Sequence, residues 1–272
     1  MTVGFGSEAA KIAPIVDQVS RARRSTTLRF RLIFALVWIV LILTLGLGMW
    51  LAADADFDFI VTSGPVIVLQ GAGITILISA ASIFFATILA ILGALGRLSA
   101  NPIVNGIASF YVSLIRGTPL LVQIYFVFYA LPQLDIVLPA IPAGIAALSL
   151  NYGAYMTEVF RAGIQAVPPG QREGAQALGM PERLVMQRIV LPQAVRIVIP
   201  AIGNEFVAMI KDSALVSTIT VHETLFLAQR LGRTAFEPVA GLLIAAAVYW
   251  SLTVVFSFFQ ERLERRLARS DR

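Results

Sequence analysis

Six long apolar blocks constrain this chain more than any other feature. They cover 30–50, 66–95, 103–131, 136–155, 195–219 and 239–259, each about 20 residues or longer and poor in charge. As helices, blocks of that length cross roughly 30 Å of hydrocarbon, whereas ordinary helices of soluble domains average about 11–12 residues. Charged residues make up 14% of the chain, against about 25% in a soluble domain. The predicted fold is therefore all-α, a polytopic transmembrane helical bundle of about six spans.

Several kinds of chemistry are excluded. The chain has no cysteine, which removes disulfides, Cys-ligated zinc and thiol catalysis. Its single histidine, His222, leaves no His cluster to hold a metal. No Ser/His pair falls in one membrane layer and no paired-Asp signature is present, so no catalytic residue is assigned. There is no G-x-x-x-x-G-K-[ST], so ATP and Mg are not expected on this chain. The net charge is +5, but the basic residues sit in loops and tails, which encodes topology rather than nucleic-acid binding. The stretch of about 30 mostly polar residues ahead of the first block is too long for an ordinary signal-peptide n-region, so no cleavable leader is expected.

Loop charge sets an expected orientation, because short Lys/Arg-rich loops face the cytoplasm. Arg21, Arg23, Arg24, Arg29 and Arg31 place the N-terminal tail inside. The acidic connection from Asp54 to Asp58 falls outside, Arg97 inside, and 131–142, without Lys or Arg, outside. Arg161, Arg172, Arg183, Arg188 and Arg196 return the long segment 161–196 to the inside. The connection 222–238 falls outside by parity despite Arg230 and Arg233, and the basic tail 260–272 falls inside. Both termini are thus expected in the cytoplasm, with the tails near anionic lipid.

Segment 161–196 carries the most distinctive pattern. Pro168-Pro169-Gly170 ends the fourth span and suits a helix start. QREGAQAL at 171–178 reads as a short helix closed by Gly179 at C′. Pro181 opens a second short helix over 182–189, with Pro192 at its exit. The product is a helix–turn–helix with a small face at Gly174 and Ala175, a shape that suits docking in a partner's groove. Glu173-Gly174-Ala175, Gly179, Ile189, Leu191 and Pro192 resemble the EAA loop of ABC importer permeases. That pattern reads E-A-A, three residues, G, nine residues, I, one residue, L-P, and the single departure is Gly174. SLIRGTPLLVQ at 113–123, SLNYGAYMTE at 149–158, GIQAVPPG at 163–170, LPQA at 191–194 and KDSALVS at 211–217 resemble the polar amino acid branch (histidine, glutamine and arginine permeases).

The resemblance implies a five-span importer domain, here 66–260 with coupling loop 161–196. To it are added a cytoplasmic tail at 1–29, an extra N-terminal transmembrane helix at 30–51 and a basic tail at 261–272. It further implies a coupling helix that docks on a separate ABC ATPase subunit, which holds the ATP and Mg. The other implied partners are a periplasmic or extracellular solute-binding protein, a second permease copy or homologous permease, and an amino-acid substrate. Transport would be by alternating access in the inner (plasma) membrane. The alternative is an ion-gradient-driven secondary transporter of a small polar solute, which the lack of a visible inverted repeat weakens.

Charged groups inside the membrane usually face protein or a water-filled cavity. In the fifth span, Asn204, Glu205, Lys211 and Asp212 fall within about 120° on a continuous helix, with Lys211 available to either carboxylate. In the fourth, Asn151, Tyr155 and Glu158 share a face. In the third, Arg116-Gly117-Thr118-Pro119 interrupts the helix, a break tolerated where protein or a cavity surrounds it. Arg116, Thr118, Tyr155, Glu158, Lys211 and Asp212 are candidate contacts for a substrate with an ammonium and a carboxylate. For each, a buried ion pair or interhelical hydrogen bond is the competing use. Pro200 beside Gly203 is expected to kink the fifth span, and His222 and Glu223 are expected on an external helix.

Overall fold

The structure is a computed structural model that describes residues 29–49, 51 and 56–268. The chain divides into two compact units, Met1–Ala55 and Asp56–Arg272. In the first, helix α1 (Arg29–Met49) is apolar all round, the pattern of a membrane span, and Phe30, Phe34 and Trp38 stack along one face at i, i+4. The expected basic tail at 21–24 and the first acidic residue of the following connection, Asp54, lie outside the described residues.

The second unit is helical, with no strand among the described residues. Its helices are α2 (Phe57–Arg97), α3 (Pro102–Arg116), α4 (Leu120–Leu134), α5 (Ala140–Gln165), α6 (Pro169–Ala177), α7 (Glu182–Ile219), α8 (Thr224–Thr234) and α9 (Pro238–Ala268). By length and apolarity α1, α2, α7 and α9 can each cross a membrane, and α3 with α4, bent by 106° between them, together make a fifth candidate span. Helix α5 has 26 residues, about 39 Å at 1.5 Å per residue. It is long enough to span and more polar than the others, with Ser149, Asn151, Tyr152 and Thr157 buried in the protein.

Several boundaries differ from expectation. Helix α2 begins at Phe57, N-capped by Asp56, which accepts from the Asp58 amide at 3.0 Å. Pro65 lies inside it without stopping it, and a π turn at Ile67–Gly71 follows. Helix α5 starts after Pro139 and runs ten residues beyond Tyr155. The expected short helix over 182–189 is instead the start of α7: a π turn at Met186–Val190 precedes Pro192, which sits in the first turn of the α-helical stretch Leu191–Asp212. The π turn immediately before Pro192 changes the hydrogen-bond register, and α7 runs through the proline rather than ending there. The basic segment after Gln260 prolongs α9 to Ala268.

The core lies between α2 and α5, closed by the end of α7. Small residues let the backbones approach, as is usual between membrane helices. Ala86 and Ala90 of α2 pack with Ala143, Ala147 and Met156 of α5 and with Met209, Val216 and Ile219 of α7. A Cβ at Gly153 would sit 2.8 Å from both Leu89 Cβ and Tyr111 Oη. Hydroxyls stitch the same interface: Ser149 Oγ donates to the Ser82 carbonyl at 3.2 Å.

Helix α8 is pinned by a carboxylate. Glu223 is its N-cap, fully buried, accepting from the Phe226 amide at 2.8 Å and from the Tyr249 hydroxyl, with Thr75 Oγ1 at 3.4 Å. Glu223 and His222 therefore precede the helix rather than lie on it. His222 is exposed and stacks on Phe226 at 4.4 Å. Burial raises the Glu223 carboxyl above the ordinary carboxylate range, against the hydrogen bonds it accepts. A raised native value means that its stabilisation is complete below the unfolded value and declines as pH rises through the native one. Thermal unfolding of the detergent-solubilised protein should show this decline, and Glu223→Gln should flatten it. Glu223→Ala orphans the Tyr249 and Phe226 donors and should cost about 2–3 kcal/mol.

Candidate functional site

The helix–turn–helix is built as a rigid projection. Helix α6 ends in a Schellman motif: the Met180 amide donates to the Ala175 carbonyl at 3.2 Å and the Gly179 amide to the Gln176 carbonyl at 2.9 Å. Gly179 holds φ at 79°, the left-handed region where a side chain is disfavoured. Met180 packs against Ala175, as that motif favours, in a small core with Ile164, Val167, Val185, Ile189, Val190 and Ala194. Gln176 Nε2 donates to Glu182 Oε2 at 2.7 Å and ties α6 to α7.

Ala175 and Ile189 therefore pack inward, and the small side chain of Ala175 serves internal packing rather than an outer face. Outward face Glu173, Gly174 and Leu178, the last 85% exposed. A Cβ at Gly174 would meet nothing within 4 Å, so the departure from E-A-A has no steric cause within the chain. Leu191 and Pro192 are exposed on α7 where it leaves this projection.

The candidate path residues fall into three groups. At the break between α3 and α4, the Arg116 guanidinium lies 5.1 Å from the centre of the Tyr155 ring, a cation–π geometry, and both residues are exposed on this chain. Thr118 Oγ1 donates to the Leu114 carbonyl at 3.0 Å.

Glu158 forms the second group. It bonds Arg97 Nε at 3.1 Å and Arg161 Nη2 at 2.6 Å, and Arg97 Nη1 donates to Ser109 Oγ at 2.5 Å. It thus joins the end of α2, α3 and α5 in one ionic cluster.

On α7, Asp212 accepts from the Tyr152 hydroxyl at 2.8 Å. Lys211 is exposed, and no salt bridge to Glu205 or Asp212 forms among the described residues. Helical spacing explains the split. Asn204 and Lys211, and likewise Glu205 and Asp212, are i, i+7 pairs about 20° apart. The first pair is exposed, with Asn204 accepting from Gln260 at 2.6 Å, and the second is half-buried. Asn151 is buried and Tyr155 exposed, so the polar face of α5 divides as well. Among the described residues no cluster of His, Asp and Glu could hold a metal.

Residues 86–269 match the family described as the inner membrane component of binding-protein-dependent transport systems. The chain belongs to this family. As a permease it is 41% identical over 196 residues to the L-cystine transport system permease of Bacillus subtilis, covering 72% of this chain and 84% of the relative. It is 37% identical over 205 residues to the arginine transport system permease of the same organism, covering 75% and 94%. The crystal structure of an amino acid ABC transporter with histidines matches with TM-score 0.74 and 36% identity over 78% of this chain and 99% of that one. An alginate ABC importer shares the fold alone, at 17% identity and TM-score 0.60, over 92% of this chain and 99% of that one. The chain is thus a multi-pass inner-membrane permease of the ABC class, and the gradient-driven alternative is set aside.

Three groups at the permease's polar positions were not singled out from sequence. Tyr152 partners Asp212, Arg97 partners Glu158, and Gln123 fills the break before α4. Gln123 stands inside the SLIRGTPLLVQ motif. Tyr152 lies about 60° from Tyr155 on the helix, which gave no sequence signal separating their roles.

Proposed function

We propose that this permease carries polar amino acids inward through ATP-driven alternating access. An external solute-binding protein delivers the substrate, and a separate ABC ATPase docks on the α6–α7 projection. Nucleotide-driven closure of the ATPases moves the projections of two permease copies, or of this chain and a homologous permease. The shared cavity opens outward and then resets inward. In this reading segment 161–196 and both termini are cytoplasmic, and α1 takes no part in transport. The supporting observation is the capped, inward-packed α6, which leaves Glu173, Gly174 and Leu178 free for a partner in a chain whose relatives are named as amino-acid permeases.

The path is assigned to Arg116, Thr118, Tyr155, Glu158, Lys211 and Asp212. Arg116, over the Tyr155 ring, and Lys211 offer cations to a carboxylate; Asp212 offers a partner to an ammonium. Asp212→Asn keeps an acceptor for Tyr152 but removes the charge, so the KM for uptake should rise roughly tenfold, the factor of one lost charged hydrogen bond. Wild-type uptake kinetics in a folded Asp212→Asn or Glu158→Ala variant would remove that residue from the path.

A further inference from the structure

The break at Gly117-Thr118-Pro119 creates a specific deficit. In an unbroken helix the Ile115 carbonyl accepts from the amide of residue 119, but that residue is Pro119 and has no N–H. Thr118 reaches the Ile115 carbonyl only at 3.4 Å through Oγ1 and 3.5 Å through its amide. Gln123 supplies the close donor from the next helix: its Nε2 lies 2.7 Å from the Ile115 carbonyl, 3.0 Å from the Thr118 carbonyl and 2.9 Å from Thr118 Oγ1. The other end of the same amide is also engaged. Gln123 Oε1 accepts from Asn151 Nδ2 of α5 at 3.1 Å, and both side chains are buried.

These bonds bracket the Arg116–Tyr155 contact from both sides. Ile115 immediately precedes Arg116, and Asn151 lies one helical turn before Tyr155 on the same face. We propose that Gln123 is a positioning residue for transport: one buried amide fixes the angle of the broken span and thereby holds the Arg116 guanidinium over Tyr155, where it meets the carboxylate of the substrate. The proposal rests on reading Arg116 and Tyr155 as path residues. Gln123 itself touches no substrate.

Because the chain has no cysteine, spin labels can be placed at will. Ile103 on α3 and Leu134 on α4 are both exposed, and a labelled cysteine at each reports the bend by pulsed electron resonance in the reconstituted, spin-diluted complex. Gln123→Met keeps length and removes both donor and acceptor. It should broaden the distance distribution and raise the uptake KM by roughly five- to tenfold, the factor of one lost hydrogen bond, with little change in maximal rate. Should Gln123→Met fail to fold, Asn151→Ala, which releases only one end of the amide, should give the same effects at smaller size. An unchanged distribution in the variant overturns the positioning role itself. A broadened distribution with unchanged KM shows instead that Arg116 over Tyr155 is not a substrate contact, and overturns the proposal through the reading on which it rests.

Discussion

Gly179→Val should abolish most ATP-dependent uptake while leaving the permease in the membrane at near-normal abundance. The Gly179 backbone sits at φ 79°, and a β-branched residue there costs about 1–3 kcal/mol. The Schellman bonds from Met180 and Gly179 to α6 depend on that conformation, and so does the contact of Met180 with Ala175. The penalty falls on a nine-residue helix at the edge of the protein, where it shifts the orientation of Glu173 and Leu178 instead of unfolding the spans. At the upper part of that range, about 2–3 kcal/mol, only a few per cent of the projections keep the docking geometry, and uptake should fall to about a tenth or less. Gly179→Asn is the control, since asparagine tolerates the left-handed region and should retain most activity. Uptake normalised to membrane abundance decides the matter; wild-type uptake by the valine variant would show that this turn transmits nothing.

The largest effect on folding is expected at Gly93. A Cβ on this residue of α2 falls inside contact distance of Thr157 Oγ1 of α5 and 3.0 Å from Thr157 Cγ2. Thr157 is fully buried, with its hydroxyl bonded to the Gly153 carbonyl at 2.8 Å, so it has nowhere to move. Valine at 93 must push the two central helices apart, an overpacking cost of about 3 kcal/mol or more against a total stability of about 5–15 kcal/mol. Membrane abundance of Gly93→Val should drop roughly tenfold. Thr157→Ala removes the two clashing atoms, so the double variant Gly93→Ala/Thr157→Ala should recover most of what Gly93→Ala alone loses. Gly106→Ala, where a Cβ meets nothing within 4 Å, should be silent. Failure of the rescue would mean that Thr157 is not the limiting contact.

The parts of this fold written in bulk hydropathy were legible from sequence, and those written in contacts were not. Helices α1, α2, α7 and α9 announce themselves because lipid demands long apolar runs. The ends of α5 escaped because a helix packed among other helices is free to carry Asn151 and Glu158, which find partners in Gln123 and Arg97 of other helices, and Arg161, which pairs within α5. Pro192 read as a helix exit, yet α7 runs through it after the π turn at Met186–Val190. At the projection, spacing alone located Gly179 at a helix end, but the inward direction of Ala175 depends on packing with Val185 and Val190. Angular reasoning on α7 grouped four polar residues into one broad stripe, which the structure divides into exposed Asn204 and Lys211 and half-buried Glu205 and Asp212. It could not tell which edge turns inward, and so missed the Tyr152–Asp212 bond. Glu223, a lone acid with no periodic signal, gave no hint of its burial.

In the proposed mechanism this chain moves an amino acid only when a separate ATPase hydrolyses ATP through the α6–α7 projection. The direct measurement uses proteoliposomes holding the permease, its ATPase and its binding protein. Uptake of a labelled amino-acid panel is followed with ATP inside, with a non-hydrolysable analogue and with an ionophore. The expected result is uptake that requires hydrolysis, is indifferent to the ionophore and disappears when Glu173 is replaced by lysine. Uptake that proceeds without hydrolysis and collapses with the ionophore would contradict the account.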